Sequence, residues 1–361
     1  MKLGLGLYRG LLSDDNFKFA KQAGVTHLVV HLVDYFKGAN PTLASGEPNM
    51  GWGVTQNQNR PWEYDDIAAL KKTIEANGLT WEAIENFDPS HWFDILLDGP
   101  KKKEQMEKLK RTIQMIGRAG IPIMGYNFSV AGVWGWTKGP FGRGGAMAVR
   151  YDESRINPQL PMPNGMVWNM VYDPDAPEGI VKPVDSEELW QRYKWFLSEI
   201  VPVAEEAGVK LALHPDDPPA DSLRGAARLV NEPDKYQRVL DLVPSDSNAL
   251  EFCLGSLQEM RDGDVYDSIE RYGRQGKIAY VHFRNVRGKV PLYNEVFVDE
   301  GDLDMIRVVQ TLRNVNYDGI LIPDHTPEMS CDAPWHAGMA YALGYIRAAI
   351  QAAERLQPAI A

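Results

Sequence analysis

The stretch ELWQRYKWFLSEIVPVAEEAGVKLALHP, Glu188 to Pro215, contains one complete structural unit. From Glu188 to Ala207 apolar side chains recur every three or four positions, the period of a helix with one buried face. Gly208 then supplies a helix-stop signal, and a short β-rich run, Lys210 to Pro215, follows at once. That run carries His214 near its end, a metal-ligand type of side chain where a barrel strand opens into a loop.

The same unit recurs along the chain. Further β-rich runs lie at Leu3 to Tyr8, Thr26 to Leu32, Thr80 to Glu85, Pro122 to Phe128, Ala249 to Leu254, Ile278 to Arg284 and Gly319 to Asp324, eight with the first. Helical patterns such as DDIAALKKTIEANG (Asp65 to Gly78), KKEQMEKLKRTIQMIGRAG (Lys102 to Gly120) and DLDMIRVVQTLRNVNYDG (Asp302 to Gly319) separate them. Eight alternating units, with no GxGxxG loop after the first strand, predict a closed (β/α)8 TIM barrel rather than a doubly wound sheet. We read residues 1–361 as a single domain. The long connections Leu32 to Pro61, Ser129 to Val184 and Asn285 to Gly301 then emerge on the C-terminal face, where barrel enzymes carry their sites. The Trp- and Gly-rich insertion over residues 129–184 reads as an ordered lid within that domain.

With 44% hydrophobic and 24% charged residues the composition is that of a globular protein, and no apolar run approaches the ~18 residues of a membrane span. A net charge of −11 argues against nucleic acid or an anionic membrane as partner. Two cysteines, Cys253 and Cys331, and an N-terminus without a signal-peptide pattern lead us to expect a reducing cytoplasm. Association into a homo-oligomer is left open by the sequence.

His214, Cys253, His282 and Asp324 each stand near the end of one β-run, spaced 39, 29 and 42 residues apart. Those intervals are close to one strand, helix and return loop, so four successive strands can bring one ligand each to a common centre. A local zinc finger would need ligands paired two to five residues apart, which this chain lacks. Singly, each residue is weak evidence, since a buried cysteine is more often a small hydrophobe. Together, a buried imidazole pair, thiol and carboxylate are costly unless paired or metal-bound, and one divalent cation satisfies them all. Ligand chemistry leaves Zn²⁺, Mn²⁺ and Fe²⁺ open. His31 and Glu85, at ends of their own strands, are further pocket candidates, whereas His27, Cys331 and His336 default to packing.

The run LALHPDDPPADSLRG, Leu211 to Gly225, resembles the signature of the mannonate dehydratase family within the xylose-isomerase-like barrels. WEAIEN (Trp81 to Asn86), GYNFSV (Gly125 to Val130), FCLGS (Phe252 to Ser256), VHFRNV (Val281 to Val286), EGDLDM (Glu300 to Met305) and IPDHTP (Ile322 to Pro327) reinforce it in order. The resemblance implies a divalent metal, most commonly Mn²⁺ with Fe²⁺, Co²⁺ or Zn²⁺ as alternatives, bound by His214, Cys253, His282 and Asp324. It also implies that Arg284 clamps an anionic sugar acid and that His325 takes part in proton transfer. The expected reaction is hydro-lyase chemistry: D-mannonate loses water to give 2-keto-3-deoxy-D-gluconate, in hexuronate catabolism.

Two departures stand out. The family commonly continues its YNF run with Asp-Trp-Thr-Arg, where this chain reads YNFSVAGVWGWTKG, and its catalytic Tyr in a Pro-Gly-Tyr-Gly setting gives way to APWHAGMAYALG. The second acid/base group is therefore sought among His336, Tyr341 and Tyr126, with Asn127 and Tyr126 as substrate-binding candidates; Asp216 and Asp217 are expected to orient ligands. A sugar isomerase or epimerase, a lyase acting on an oxidised sugar and a non-catalytic sugar-binding barrel are the rival readings. A DNA-repair nuclease of this superfamily fits poorly with the acidic balance.

Overall fold

The computed structural model describes residues 1–35, 53–55 and 62–355. Eight parallel strands close into a barrel: β1 Lys2–Tyr8, β2 His27–His31, β3 Thr80–Glu85, β4 Ile123–Tyr126, β5 Lys210–Leu213, β6 Asn248–Cys253, β7 Ile278–His282 and β8 Ile320–Ile322. Neighbours in sequence are neighbours in space, and pairing of Lys2 with Ile320 closes the ring. Most of the Leu32 to Pro61 connection lies outside the described residues.

Alternation along each strand separates two cores. Val29, Ala83, Ile123, Ala212, Ala249, Ala279, Tyr280, Ile320 and Ile322 fill the barrel interior, while the opposite strand faces pack against the helices. Small residues let the interior close. A Cβ at Gly125 would fall on the Tyr280 hydroxyl and the Glu251 carboxylate, so glycine keeps room for polar groups above the apolar plug.

The helix read from Glu188 onward spans Ser186–Ala207. Asp185 caps it by accepting from the Glu188 amide, Glu187 and Glu188 favour its N-terminal dipole, and Gly208 ends it at φ +67. Its face of Leu189, Tyr193, Phe196 and Ile200 is fully buried, each such side chain contributing roughly 1.5–3 kcal/mol of transfer free energy. Phe196 packs 5.5 Å from the Tyr126 ring, which fixes the outward direction of that tyrosine.

Two of the long connections form a sheet that periodicity did not suggest. Trp136–Gly139 and Ala148–Asp152, from the 129–184 insertion, pair with the hairpin of Asn285–Lys289 and Leu292–Val296 that follows β7. This four-stranded antiparallel sheet joins segments more than a hundred residues apart and brings Trp136, Tyr293 and Glu295 towards the strand ends. Among the described residues no helix is long and apolar enough to cross a membrane.

Candidate metal centre

At the C-terminal ends of β5, β6 and β7, one donor atom each from His214, Cys253 and His282 lies within 4.8 Å of the others. Asp324, just beyond β8, reaches 3.5 Å from His282 Nδ1 through its Oδ2. Strand pairing stops at Leu213, Cys253, His282 and Ile322, so the four side chains stand where the ladder gives way to loops. All four therefore converge.

The surroundings aim these donors. His214 Nδ1 donates to the Pro215 carbonyl at 2.5 Å, leaving Nε2 for the centre. The Nε2 of His282 is held by Glu251 Oε1 at 3.0 Å and Glu85 Oε2 at 3.2 Å. Its Nδ1 is buried and has no hydrogen-bond partner among the described residues. An orphaned imidazole nitrogen beside a thiol, a second imidazole and a carboxylate fits a divalent transition metal. The C-x-G-S run has a local logic too. Cys253 accepts from the Ser256 amide at 3.4 Å, and a Cβ at Gly255 would overlap the Arg284 side chain.

Charge in the centre follows from these contacts. Burial opposes ionisation of Cys253, but Arg284 and the adjoining imidazoles of His214 and His282 hold its thiol well below the usual range. Burial likewise opposes charging of His214, and the bond to Cys253 with the nearby Glu251 outweighs it, raising His214 to about 9. Glu251 is pushed up to about 8, mainly by burial and then by Glu85, whereas His31 and His282 overcome burial to hold Glu85 at about 2. The two buried carboxylates behind His282 are thereby pushed in opposite directions.

Arg284 does not stand where a clamp on the substrate would have to stand. Its guanidinium is 2% exposed and lines neither cavity. It is enclosed by Asp217 Oδ2 at 2.5 Å, Glu259 Oε1 at 3.3 Å, Asp324 Oδ2 at 3.2 Å and Glu295. Glu295 and Asp217 take its two terminal nitrogens and its side chain is buried away from both cavities, so Arg284 is an internal counter-charge. Asp217 additionally accepts from Ser256 and Tyr293, and Asp216 braces the Leu229 and Val230 amides.

A cavity of 60 Å³ opens at the candidate donors, with His31, Glu85, Asn127, His214, His282 and His325 in its wall. Asn127 donates to Asn86 Oδ1 at 3.0 Å. His325 Nδ1 lies 3.0 Å from Glu295 Oε2, and burial is outweighed by Asp324 and Glu295, raising this imidazole to about 9. The three proposed partners of His325 lie elsewhere. Tyr126 points into the layer between barrel and helices, its hydroxyl on Tyr193 at 2.8 Å. His336 Nε2 pairs with Asn16 Oδ1 at 2.9 Å, and Tyr341 bonds Arg143 on the outer surface. In the last helix the positions that face inward are instead Trp335 and Met339.

Some contributors went unrecognised in the sequence. Glu251, two residues before Cys253 on the same strand, was available to the two-residue alternation rule. Tyr8, at the end of β1, was open to the same reasoning. Glu295 was not, because only the antiparallel sheet carries it inward.

A parallel (β/α)8 barrel with His, Cys, His and Asp converging at its C-terminal mouth is the architecture of a barrel enzyme with a candidate metal centre. The profile of the D-mannonate dehydratase family matches residues 21–358, and the chain belongs to that family of hydro-lyases. It is 33% identical over 279 residues to "Mannonate dehydratase 2" of Halalkalibacterium halodurans, covering 73% of this chain and 79% of that protein. To mannonate dehydratase of Thermotoga maritima it is 30% identical over 285 residues, with 73% and 78% covered. The crystal structure of mannonate dehydratase from Streptococcus suis serotype2 superposes at a TM-score of 0.76 with 26% identity, covering 98% of this chain and 94% of that one. An L-ribulose 3-epimerase, at a TM-score of 0.56 and 15% identity over 98% and 96%, shares the fold alone.

Proposed function

We propose that this chain is a metal-dependent dehydratase of a sugar acid, converting a D-mannonate-type aldonate to its 2-keto-3-deoxy acid and water. The convergence of His214, Cys253 and His282 within 4.8 Å, in a chain of this family, is the observation that carries the reading. With Asp324 these side chains would hold a divalent cation, Mn²⁺ in our reading, which when bound supplies a Lewis acid to the substrate carboxylate and C2 hydroxyl.

The reaction removes the proton from C2 and breaks the C3–O bond, the departing hydroxyl leaving as water; the enol that results tautomerises to the 2-keto acid. Two groups of opposite protonation state are required. Outside the donor set, His31 and His325 are the imidazoles in the described wall of the small cavity. His31, its Nδ1 on the Tyr35 hydroxyl at 3.0 Å, receives the C2 proton. His325, steadied by Glu295, delivers a proton to the departing hydroxyl. Asn127 and Asn86 offer amides to substrate hydroxyls, and the 129–184 insertion with the Asn285 to Val296 hairpin acts as the cover that limits water. Ligation by Cys253 requires a reduced thiol, which suits the cytoplasm.

The test is to incubate manganese-loaded protein with a panel of hexonates and uronates and follow 2-keto-3-deoxy acid formation. Formation from a mannonate-type acid is expected. A product of unchanged mass would instead establish an isomerase or epimerase.

A further inference from the structure

Beside the small metal-end cavity opens a larger one of 240 Å³, and the two share Tyr8, Trp136, Asp324 and His325 in their walls. A ligand whose carboxylate end lies at the candidate metal donors has room to extend past His325 into this second space. Among the described residues its apolar wall is built by Trp136, Met147 and Val149 from the insertion, Pro327 from beyond β8, and Trp335 and Met339 from the last helix. The polar groups are mostly committed elsewhere. Lys138 Nζ and Glu328 Oε1 engage each other at 2.5 Å, and Glu295 is taken by Arg284 and His325. Tyr8 and Thr326 add hydroxyls.

An unmodified aldonate tail presents a hydroxyl on every carbon, and one placed against Trp335 and Met339 exchanges water for no equivalent partner. Resting on the sugar-acid reading above, we infer that the preferred substrate is an aldonate whose end remote from the carboxylate is apolar, a 6-deoxy or 6-O-alkyl acid with that group against Trp335 and Met339. The apolar wall thereby acts as the specificity element of the site.

Calorimetric titration of manganese-loaded protein with D-mannonate, 6-deoxy-D-mannonate and 6-O-methyl-D-mannonate tests this without requiring turnover. Both modified acids are expected to bind at least about tenfold more tightly than D-mannonate, within the range that small apolar changes command in a hydrophobic pocket. Met339→Gln should erase the preference at unchanged metal content. Equal or tighter binding of D-mannonate overturns the inference and leaves the dehydratase reading standing. Failure of all three acids to bind metal-loaded protein overturns the sugar-acid reading and this inference with it.

Discussion

Arg284 and Asp217 meet at 2.5 Å with their side chains only 1% and 5% exposed, so the guanidinium beside the candidate metal donors is committed to the protein itself. Its other acidic neighbours, Glu259, Glu295 and Asp324, come from different parts of the barrel and its loops. Arg284→Met would leave these buried carboxylates without their counter-charge. We expect a loss of about 3–5 kcal/mol in unfolding free energy, read by urea titration. Near-wild-type stability would show that the cluster tolerates its own repulsion.

Cys253→Ser replaces a buried thiol held towards its thiolate with a hydroxyl that does not ionise near neutral pH. Metal content measured by elemental analysis after dialysis should fall sharply, as it should for His282→Ala, which removes the orphaned Nδ1. Full retention of metal by both variants would dismiss the donor assignment.

Gly255 has space for no side chain, because a Cβ there would meet the Arg284 guanidinium. Gly255→Ala should therefore displace Arg284 and cost about 1–3 kcal/mol of stability, the usual range for overpacking a filled interior. Denaturant unfolding checks the magnitude. An unchanged midpoint would mean that the carboxylate cage yields more easily than its contacts imply.

Burial, the largest influence on His31, keeps it neutral below the ordinary imidazole range, with Glu85 acting in the opposite sense. A base must be neutral to accept a proton, so activity should persist as pH falls and decline only below about 6.5, the unperturbed imidazole value. The profile of kcat/KM against pH, with metal content verified at each point, measures this. His31→Gln should abolish turnover while keeping the metal; a variant with normal turnover would remove His31 from proton transfer.

The fold and the convergence of the four candidate donors were legible because their signals are local. Strand and helix periods, Gly208 as a helix stop and the placement of His214, Cys253, His282 and Asp324 at successive strand ends all follow from short-range geometry. The strand limits came out one or two residues too long at these ends, since ladder pairing stops where each loop begins.

What the residues along the chain determined by themselves was the barrel and the direction in which its strands deliver ligands, since alternation belongs to each strand alone. Tertiary structure decided which charges meet. It enclosed Arg284 within acids from the loops after β5 and β8, the short helix after β6 and the added sheet, turned His336 and Tyr341 away, and set Trp335 and Met339 beside the larger cavity. The physical reason is that an ion pair or a cavity wall depends on distances between remote segments, and local periodicity carries no information about those distances.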